Sequence, residues 1–248
     1  MKISLITVVF NGEKYLEESI LSVLAQDYPD LEYIVVDGAS TDGSLDIIRK
    51  YSAQITHFIS EKDRGMYDAL NKGIALSTGE IIGILNADDM LASPDVLSAV
   101  AEMFRVWQSD ALYGHLNYVD PAQPEKIIRR WRARPFKPRD MARGWMPAHP
   151  TFYAKRPLFN QYGNYSLNFG SAADYELMLR FLYKNRIKTV FLDKLMVNMR
   201  VGGMSNASLK QRYHAFLNDY KALRHNGVPF SIVALFLKKV SKLQQFVR

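Results

Sequence analysis

The chain has 248 residues, of which 48% are hydrophobic and 23% charged, as is ordinary for a soluble globular protein. It contains no cysteine, which excludes disulfides and thiolate metal sites. No apolar run approaches the roughly 18 residues of a spanning helix, and the first residues show no signal-peptide pattern. The composition therefore predicts a cytoplasmic protein that folds as one compact unit.

Charge is divided unevenly along the chain. Residues 1–119 carry eight Lys and Arg against 18 Asp and Glu, whereas residues 120–248 carry 24 against seven. Solvated surface charge explains part of this asymmetry. Its size also suggests that the two halves bind different partners.

Apolar strands and amphipathic helices alternate over the first 90 residues. Strands are predicted at 3–10, 31–36, 55–59 and 81–85, with helices at 13–25, 41–51 and 66–76 between them. This alternation is typical of βαβ units. It predicts an α/β fold with a doubly wound, mostly parallel sheet.

The pattern changes after residue 90. A helix is predicted at 94–106, and strands at 111–119 and 126–134 are expected to form a small antiparallel portion of the sheet. Residues 135–150 resemble an irregular loop. The remaining predictions are a helix at 174–183, short strands at 190–192 and 195–200, and C-terminal helices at 209–224 and 232–246.

Two adjacent carboxylates, Asp88 and Asp89, directly follow the strand at 81–85. Charge beside a hydrophobic core is costly unless a cation or hydrogen bonds meet it. Carboxylate oxygens suit Mn²⁺ or Mg²⁺, ions that commonly hold substrate phosphates. An Asp-Asp turn before the helix that starts near Ser93 is the simpler alternative.

Polar residues also follow the first two strands, at the same edge of the predicted sheet. Phe10 is suited to flank a flat base, and Asp37 to accept the imide N–H of a uracil. Taken singly, a core role for Phe10 and a turn or cap role for Asp37 are the better explanations. Their convergence with Asp88 favours one shared ligand site.

Seven motifs resemble, in the same order, those of the family 2 glycosyltransferases, which have the GT-A fold and use nucleotide-activated sugars. They lie at residues 8–11, 37–42, 63–73, 85–89, 149–152, 173–180 and 200–205. The resemblance implies a GT-A fold and transfer of a sugar from a nucleotide-diphosphate donor, with UDP as the expected nucleotide. Asn86 departs from the family pattern, which often has Asp there.

The resemblance also implies roles for single residues. Asp88 and Asp89 would bind the metal, which neutralises the diphosphate leaving group. An N-cap role is the alternative for Asp63, and an internal hydrogen-bond network for Asp68 and Asn71. Contacts with the nucleotide sugar are expected from Val9, Phe10, Asn11, Asp37, Asp63, Gly65, Asp68, Asn71, Asn86 and Asp88.

Asp174 is the expected general base. Inverting transfer needs one carboxylate to take the proton of the acceptor hydroxyl as it attacks the anomeric carbon. Capping of the helix that begins there is the alternative. Glu176 is the second choice because it points to a different helix face.

Trp145 and His149 lie in the long loop at 135–150. Trp145 is suited to stack on a sugar face, and neutral His149 to complete a metal shell or bind a substrate oxygen. Packing roles explain both equally well. We therefore predict contact with the acceptor or the metal at these two positions.

These observations together predict a metal-dependent, inverting transferase of one hexose or N-acetylhexosamine. By family analogy, the acceptor is a carbohydrate on a polyprenyl-diphosphate carrier in bacterial polysaccharide synthesis. The nucleotide sugar would occupy residues 1–120 and the acceptor residues 121–206, with a helical extension at 207–248. Sugar-phosphate nucleotidyl transfer and a non-enzymatic basic module stay as alternatives, although no nucleic-acid motif is visible.

The C-terminal helix has an apolar side followed by lysines. That side either docks on the core or lies on an anionic membrane, where a lipid-linked acceptor is found. The sequence predicts peripheral contact with the inner face of the plasma membrane as the functional alternative. Its apolar side comprises Val233, Phe236, Leu237, Val240, Leu243 and Val247.

Overall fold

A mixed nine-stranded sheet organises the part of the chain that the computed structural model describes, residues 1–202 and 209–243. The spatial order of the strands is β3-β2-β1-β4-β8-β6-β9-β5, with β7 paired to β6. The strands are β1 (Ile3–Val9), β2 (Leu31–Asp37), β3 (His57–Ser60), β4 (Ile81–Ile84), β5 (Met90–Leu91), β6 (Ala111–Val119), β7 (Ile127–Trp131), β8 (Tyr153–Lys155) and β9 (Thr189–Arg200).

Strands β1 to β4 are parallel to one another, as the βαβ pattern predicts. Side chains of β1 alternate between two cores on the two faces of the sheet. Ile6 and Val8 pack in one core, and Ile3, Leu5 and Val9 in the other. Burial on both faces explains why this strand is almost continuously apolar.

Helices cover both faces of the sheet and add a C-terminal layer. The predicted helix at 174–183 is correct in extent but changes character, because its second half is π-helical (Leu179–Lys184). The α-helices are α1 (Glu13–Leu24), α2 (Ser44–Lys50), α3 (Met66–Leu76), α4 (Val96–Trp107), α5 (Pro138–Ala142), α6 (Arg156–Tyr162), α7 (Ala173–Met178), α8 (Leu209–His225) and α9 (Ser231–Leu243).

The second half of the sheet differs from prediction in three places. The expected strands at 190–192 and 195–200 form the single strand β9, because Asp193 and Lys194 bond outward to His115 and Asp95 instead of making a turn. The register shift in β9 absorbs this irregularity. Strands β5 and β8 were not predicted, since two or three residues show no periodic pattern.

The stretch 135–150, predicted as an irregular loop, is partly helical. It contains α5 and the start of a 3₁₀ turn, His149–Thr151. The N–H of Lys137 donates to the Asp140 carboxylate, which also pairs with Arg134 at 2.9 Å. These bonds give a defined structure to a segment whose proline and arginine content predicted an irregular loop.

Helix α9 docks by one side only. Ala234 and Leu235 are buried, whereas Ile232, Val233 and Phe236 are 66%, 54% and 67% exposed. The helix thus docks by a different side from the predicted one, and Val233, Phe236 and Leu237 of the predicted apolar side face outward. The predicted continuation beyond 243 lies outside the described residues.

Across residues 1–202 and 209–243, no helix combines the length and the hydropathy that crossing a bilayer requires.

Candidate active site

A large cleft of about 2640 Å³ opens at the carboxyl ends of β1 and β4. Small-molecule pockets are commonly about 300–1,000 Å³, so this volume admits two substrates side by side. The seven predicted donor-site residues on its wall are Val9, Phe10, Asn11, Asp63, Gly65, Asn86 and Asp88. Asp174, Trp145 and His149, from the second half of the chain, line the same cleft.

The turns after β1 and β2 are bonded to each other. Asn11, with φ at +50°, accepts the N–H of Thr41 through Oδ1 at 2.8 Å and donates its own N–H to Ser40 Oγ at 2.8 Å. A Cβ on Gly38 would lie 2.6 Å from the Asp63 carboxylate. Only glycine allows this approach, which places Asp63 beside Phe10, itself 65% exposed.

Asp37 is buried and does not line the cleft. Its carboxylate accepts the N–H of Ser40 at 3.1 Å and the hydroxyl of Ser60 at 2.6 Å. These bonds hold the turn after β2 in place. The contact of Asp37 with a uracil stays a prediction. The hydrogen bonds to Ser40 and Ser60 show its alternative role in the turn.

Asp63 and Asp68 differ although both flank the start of α3. Asp63 accepts the N–H of Gly65 at 2.7 Å, where φ is +110°, and lines the cleft. Asp68 lies off the cleft wall and accepts both the N–H of Arg64 at 3.0 Å and its guanidinium at 2.8 Å. Hydrogen bonds from Arg64 lower the pKa of Asp68, so this carboxylate serves the loop.

Asp88 and Asp89 face in different directions. Asp88 lines the cleft, whereas Asp89 is fully buried and accepts the N–H of Arg200 at 3.2 Å and the amide of Asn86 at 2.9 Å. Burial raises the pKa of Asp88, and burial together with the charge of Asp88 raises that of Asp89. The positive charge of Arg200 lowers these pKa values less than burial raises them. Its guanidinium bonds to the Asp88 carbonyl and pairs with Glu18.

The described part of the chain holds no group of three or more His, Cys, Asp or Glu side chains placed to share a metal. Mg²⁺-type sites nevertheless often use one or two carboxylates and complete their shell with substrate phosphates and water. Asp88, which lines the cleft at the end of β4, fits that donor set, whereas ligation by the buried Asp89 stays a prediction. Of the motif at 200–205, residues 203–205 lie outside the described residues.

Asn71 has a different role from the predicted sugar contact. Its Nδ2 donates to the carbonyl of Tyr165 at 2.8 Å, and its Oδ1 accepts the N–H of Tyr165 at 2.9 Å. Asn71 does not line the cleft. The amide is thus spent on fixing the backbone of Tyr165, in the hydrogen-bond network that the sequence left as the alternative.

Asp174 lies in the cleft against a wall of rings. Tyr67 and Tyr165 stack with centroids 5.6 Å apart, and His149 Nε2 lies 2.7 Å from the Tyr165 hydroxyl. Burial, with the charge of Asp174 second, raises the pKa of both tyrosines, so they stay protonated donors. Burial lowers the pKa of His149, which is therefore neutral near pH 7.

The ring wall combines residues that sequence analysis found with residues that it missed. Tyr67 lies inside the 63–73 motif but carried no role, and Tyr165 belongs to no motif. His149 contacts Tyr165, so its position favours the Asp174 side of the cleft. Of the two tyrosines, only Tyr67 lines the cleft with Asp174, whereas the Tyr165 hydroxyl is buried and engaged with His149.

Trp145 and Glu176, two further residues with a predicted role, differ in whether they line the cleft. Trp145 lines the cleft. Its ring centroid lies 5.9 Å from the ring centroid of Tyr113 and 4.8 Å from the Arg134 guanidinium. Glu176 is buried and paired with Arg180 at 2.8 Å. That pairing disfavours Glu176 as a base, whereas Asp174 lines the cleft.

Solved structures share this architecture. S. aureus TarS 1–349, solved in complex with UDP, superposes with a TM-score of 0.68 at 22% identity, covering 96% of this chain and 71% of that one. Mannosyltransferase PcManGT from Pyrobaculum calidifontis, solved with GDP-Man and Mn²⁺, gives 0.68 at 20% identity, covering 95% and 69%. The sheet order and the polar cleft therefore define a GT-A fold.

The chain belongs to glycosyl transferase family 2, whose model matches residues 4–165. An uncharacterised glycosyltransferase of Nostoc sp. is 37% identical over 123 residues. That alignment spans 48% of this chain and 38% of the relative. Family membership confirms the resemblance seen in the sequence and disfavours the nucleotidyltransferase and the non-enzymatic module.

Asn71→Ala should lower the free energy of unfolding by about 1–3 kcal/mol, because the N–H and C=O of buried Tyr165 lose their partners. Affinity for UDP should change little. Urea denaturation and calorimetric titration measure the two quantities. Asn71→Asp, which keeps the acceptor and loses the donor, should be intermediate; intact stability with lost UDP affinity would contradict the scaffold role.

Proposed function

We propose that this family 2 glycosyltransferase is a metal-dependent, inverting enzyme. It transfers one hexose or N-acetylhexosamine from a UDP-sugar to a carbohydrate acceptor. The observation that carries the proposal is that one cleft is lined by both Asp88, which follows β4, and Asp174, at the start of α7. Such a pair separates the two tasks of the reaction, departure of the nucleotide and activation of the acceptor.

The donor end is assigned to the turns after β1, β2 and β4. Phe10 offers an exposed ring for a nucleobase, and Asn11 and Gly38 hold that turn beside Asp63. These features are of the kind that a nucleoside diphosphate needs, with polar groups on a rigid edge. The UDP complex of the similar TarS structure supports UDP as the nucleotide.

A divalent cation, Mn²⁺ or Mg²⁺, is assigned to Asp88, with Asp89 behind it. When bound, the ion would stabilise negative charge on the departing diphosphate. The raised pKa values of both carboxyl groups support a site that favours positive charge. Asn86 and the Arg200 N–H hold Asp89, and the Arg200 guanidinium bonds the main-chain carbonyl of Asp88, so the backbone that carries Asp88 is held in place.

Asp174 is assigned as the base that takes the acceptor's proton. Its charge acts on Tyr67, Tyr165 and neutral His149, which lie close to it. The acceptor hydroxyl would lie between this carboxylate and the anomeric carbon of the donor. Attack from that side, opposite the diphosphate, inverts the anomeric configuration.

The acceptor is proposed to be a carbohydrate on a prenyl-diphosphate carrier at a membrane surface. Helix α9 supports this placement, since Phe230, Ile232, Val233 and Phe236 face outward next to a strongly basic second half of the chain. An exposed apolar strip in a basic half of the chain fits the interface of an anionic bilayer.

Asp88→Asn should remove the Mn²⁺-dependent part of UDP binding. The parent protein should gain more thermal stability from UDP with Mn²⁺ than from UDP alone, because a ligand that binds only the folded state stabilises it. Glu125→Gln, an exposed carboxylate on the same cleft, is the control and should behave like the parent. Equal Mn²⁺ dependence in Asp88→Asn would remove the metal from this site.

Asp174→Asn should lower kcat on the order of 10²–10⁴-fold, the usual contribution of a general base, with the Kd for the UDP-sugar little changed. Asparagine keeps the size and the acceptor oxygen for the Tyr175 N–H but takes no proton near pH 7. Turnover within about threefold of the parent would leave Asp174 as a helix cap.

The parent protein should cosediment with phosphatidylglycerol vesicles but not with phosphatidylcholine vesicles, and added salt should weaken the binding. Ile232→Ser with Phe236→Ser should abolish it, since both side chains are exposed and little packing is lost. Leu217→Ser, an exposed apolar residue of α8, serves as the control. Unchanged sedimentation of the α9 variant would refute membrane contact by this helix.

A further inference from the structure

Strand β7 and the residues after it carry four arginines, Arg129, Arg130, Arg132 and Arg134, all on the cleft wall. Within the described sheet, β7 pairs only with β6, so it is an edge strand. None of these arginines belongs to the motifs that indicated the donor site. They form a basic rim on the part of the cleft built by the second half of the chain.

The four arginines are not equivalent. The Arg129 guanidinium lies 3.7 Å from the centroid of Tyr118, and Arg134 pairs with Asp140 at 2.9 Å. Arg130 and Arg132 are exposed and have no hydrogen-bond or ion-pair partner among residues 1–202 and 209–243. Arg130 lies in β7 and Arg132 follows the last residue of that strand, and both line the cleft, so two guanidinium groups lie within a few residues on one wall.

An apolar surface adjoins this charged pair. Ile127 and Ile128 are 38% and 43% exposed at the start of β7 and line the same cleft. Exposed isoleucine side chains on an edge strand are unfavourable, because their apolar surface stays in contact with water. Along one strand, the cleft therefore offers first a hydrocarbon contact and then two guanidinium forks, which match phosphate oxygens.

The basic rim is separate from the donor end but near it. Tyr118 of β6 lies opposite Arg129 of β7 on one side and opposite Met199 of β9 on the other. Arg200 follows Met199 and bonds the Asp88 carbonyl. Two strand spacings are roughly 10 Å. That separation leaves room for a sugar between an anion on Arg130 and Arg132 and the end of β4.

We propose that Arg130 and Arg132 bind the diphosphate of a prenyl-diphosphate acceptor, with Ile127 and Ile128 against the first part of its hydrocarbon chain. The inference rests on the proposed function, in which the acceptor carbohydrate is lipid-linked. It assigns acceptor recognition to residues that neither the donor site nor the base requires. The sugar attached to that diphosphate then lies in the cleft that Asp174 also lines.

The test is a calorimetric titration of the full chain with farnesyl diphosphate, with UDP and Mn²⁺ present to fill the donor end, and again without them. Inorganic pyrophosphate and farnesol are titrated as the two halves of the probe. The variants are R130Q/R132Q and, as the matched control, R139Q/R143Q, two exposed arginines outside the cleft. Phosphatidylglycerol vesicles test for a lipid headgroup as the source of phosphate.

Farnesyl diphosphate should bind more tightly than either half, and R130Q/R132Q should weaken it on the order of tenfold or more, because two charge-assisted contacts are lost. UDP affinity should be unchanged, and R139Q/R143Q should match the parent. Equal affinity in R130Q/R132Q and the parent, or no binding by the parent, overturns the proposal.

Two other outcomes also overturn it. A parallel loss of UDP affinity in R130Q/R132Q would show that the arginines serve the donor. Loss of vesicle binding with farnesyl diphosphate binding intact would show contact with lipid headgroups. A parent protein that fails to bind UDP refutes the proposed function instead, and the titration without UDP still decides the role of the arginines.

Discussion

The buried carboxylate of Asp89 is the constraint on which the cleft depends. A charge in this position is costly, and its bonds with the Asn86 amide and the Arg200 N–H offset that cost. These bonds join the end of β4, in the first half of the chain, to the end of β9, in the second. The Arg200 side chain extends the connection to the Asp88 carbonyl and to Glu18 of α1.

One consequence is that the two halves meet at a defined distance and angle. Asp88 is held open beside its buried neighbour, and β6 and β7 extend from β9 along the same edge. The cleft between them is wide enough for a donor and an acceptor. A mixed sheet suits this arrangement, because β8 and β6 continue the parallel half without a break.

Polar residues around the cleft divide by whether their hydrogen-bonding capacity is spent. Asp37, Asp68, Asn71 and Glu176 are engaged with backbone or side-chain partners and shape loops. Asp88 and Asp174 are on the cleft wall, and Arg130 and Arg132 are exposed without partners among the described residues. The spent groups give rigidity, and the open ones have the freedom to meet substrate, as a preorganised site requires.

The sequence by itself determined the parallel half of the sheet, since βαβ periodicity and strand-end polarity are local properties. It also determined the family, through motifs whose order is visible without coordinates. Only the tertiary structure decided which polar groups are open, because Asp37, Asn71 and Glu176 have partners in distant parts of the chain, at Ser60, Tyr165 and Asn226. Tyr165, β8 and the continuous strand β9 were invisible for the same reason: their roles come from contacts between distant segments, which no local pattern records.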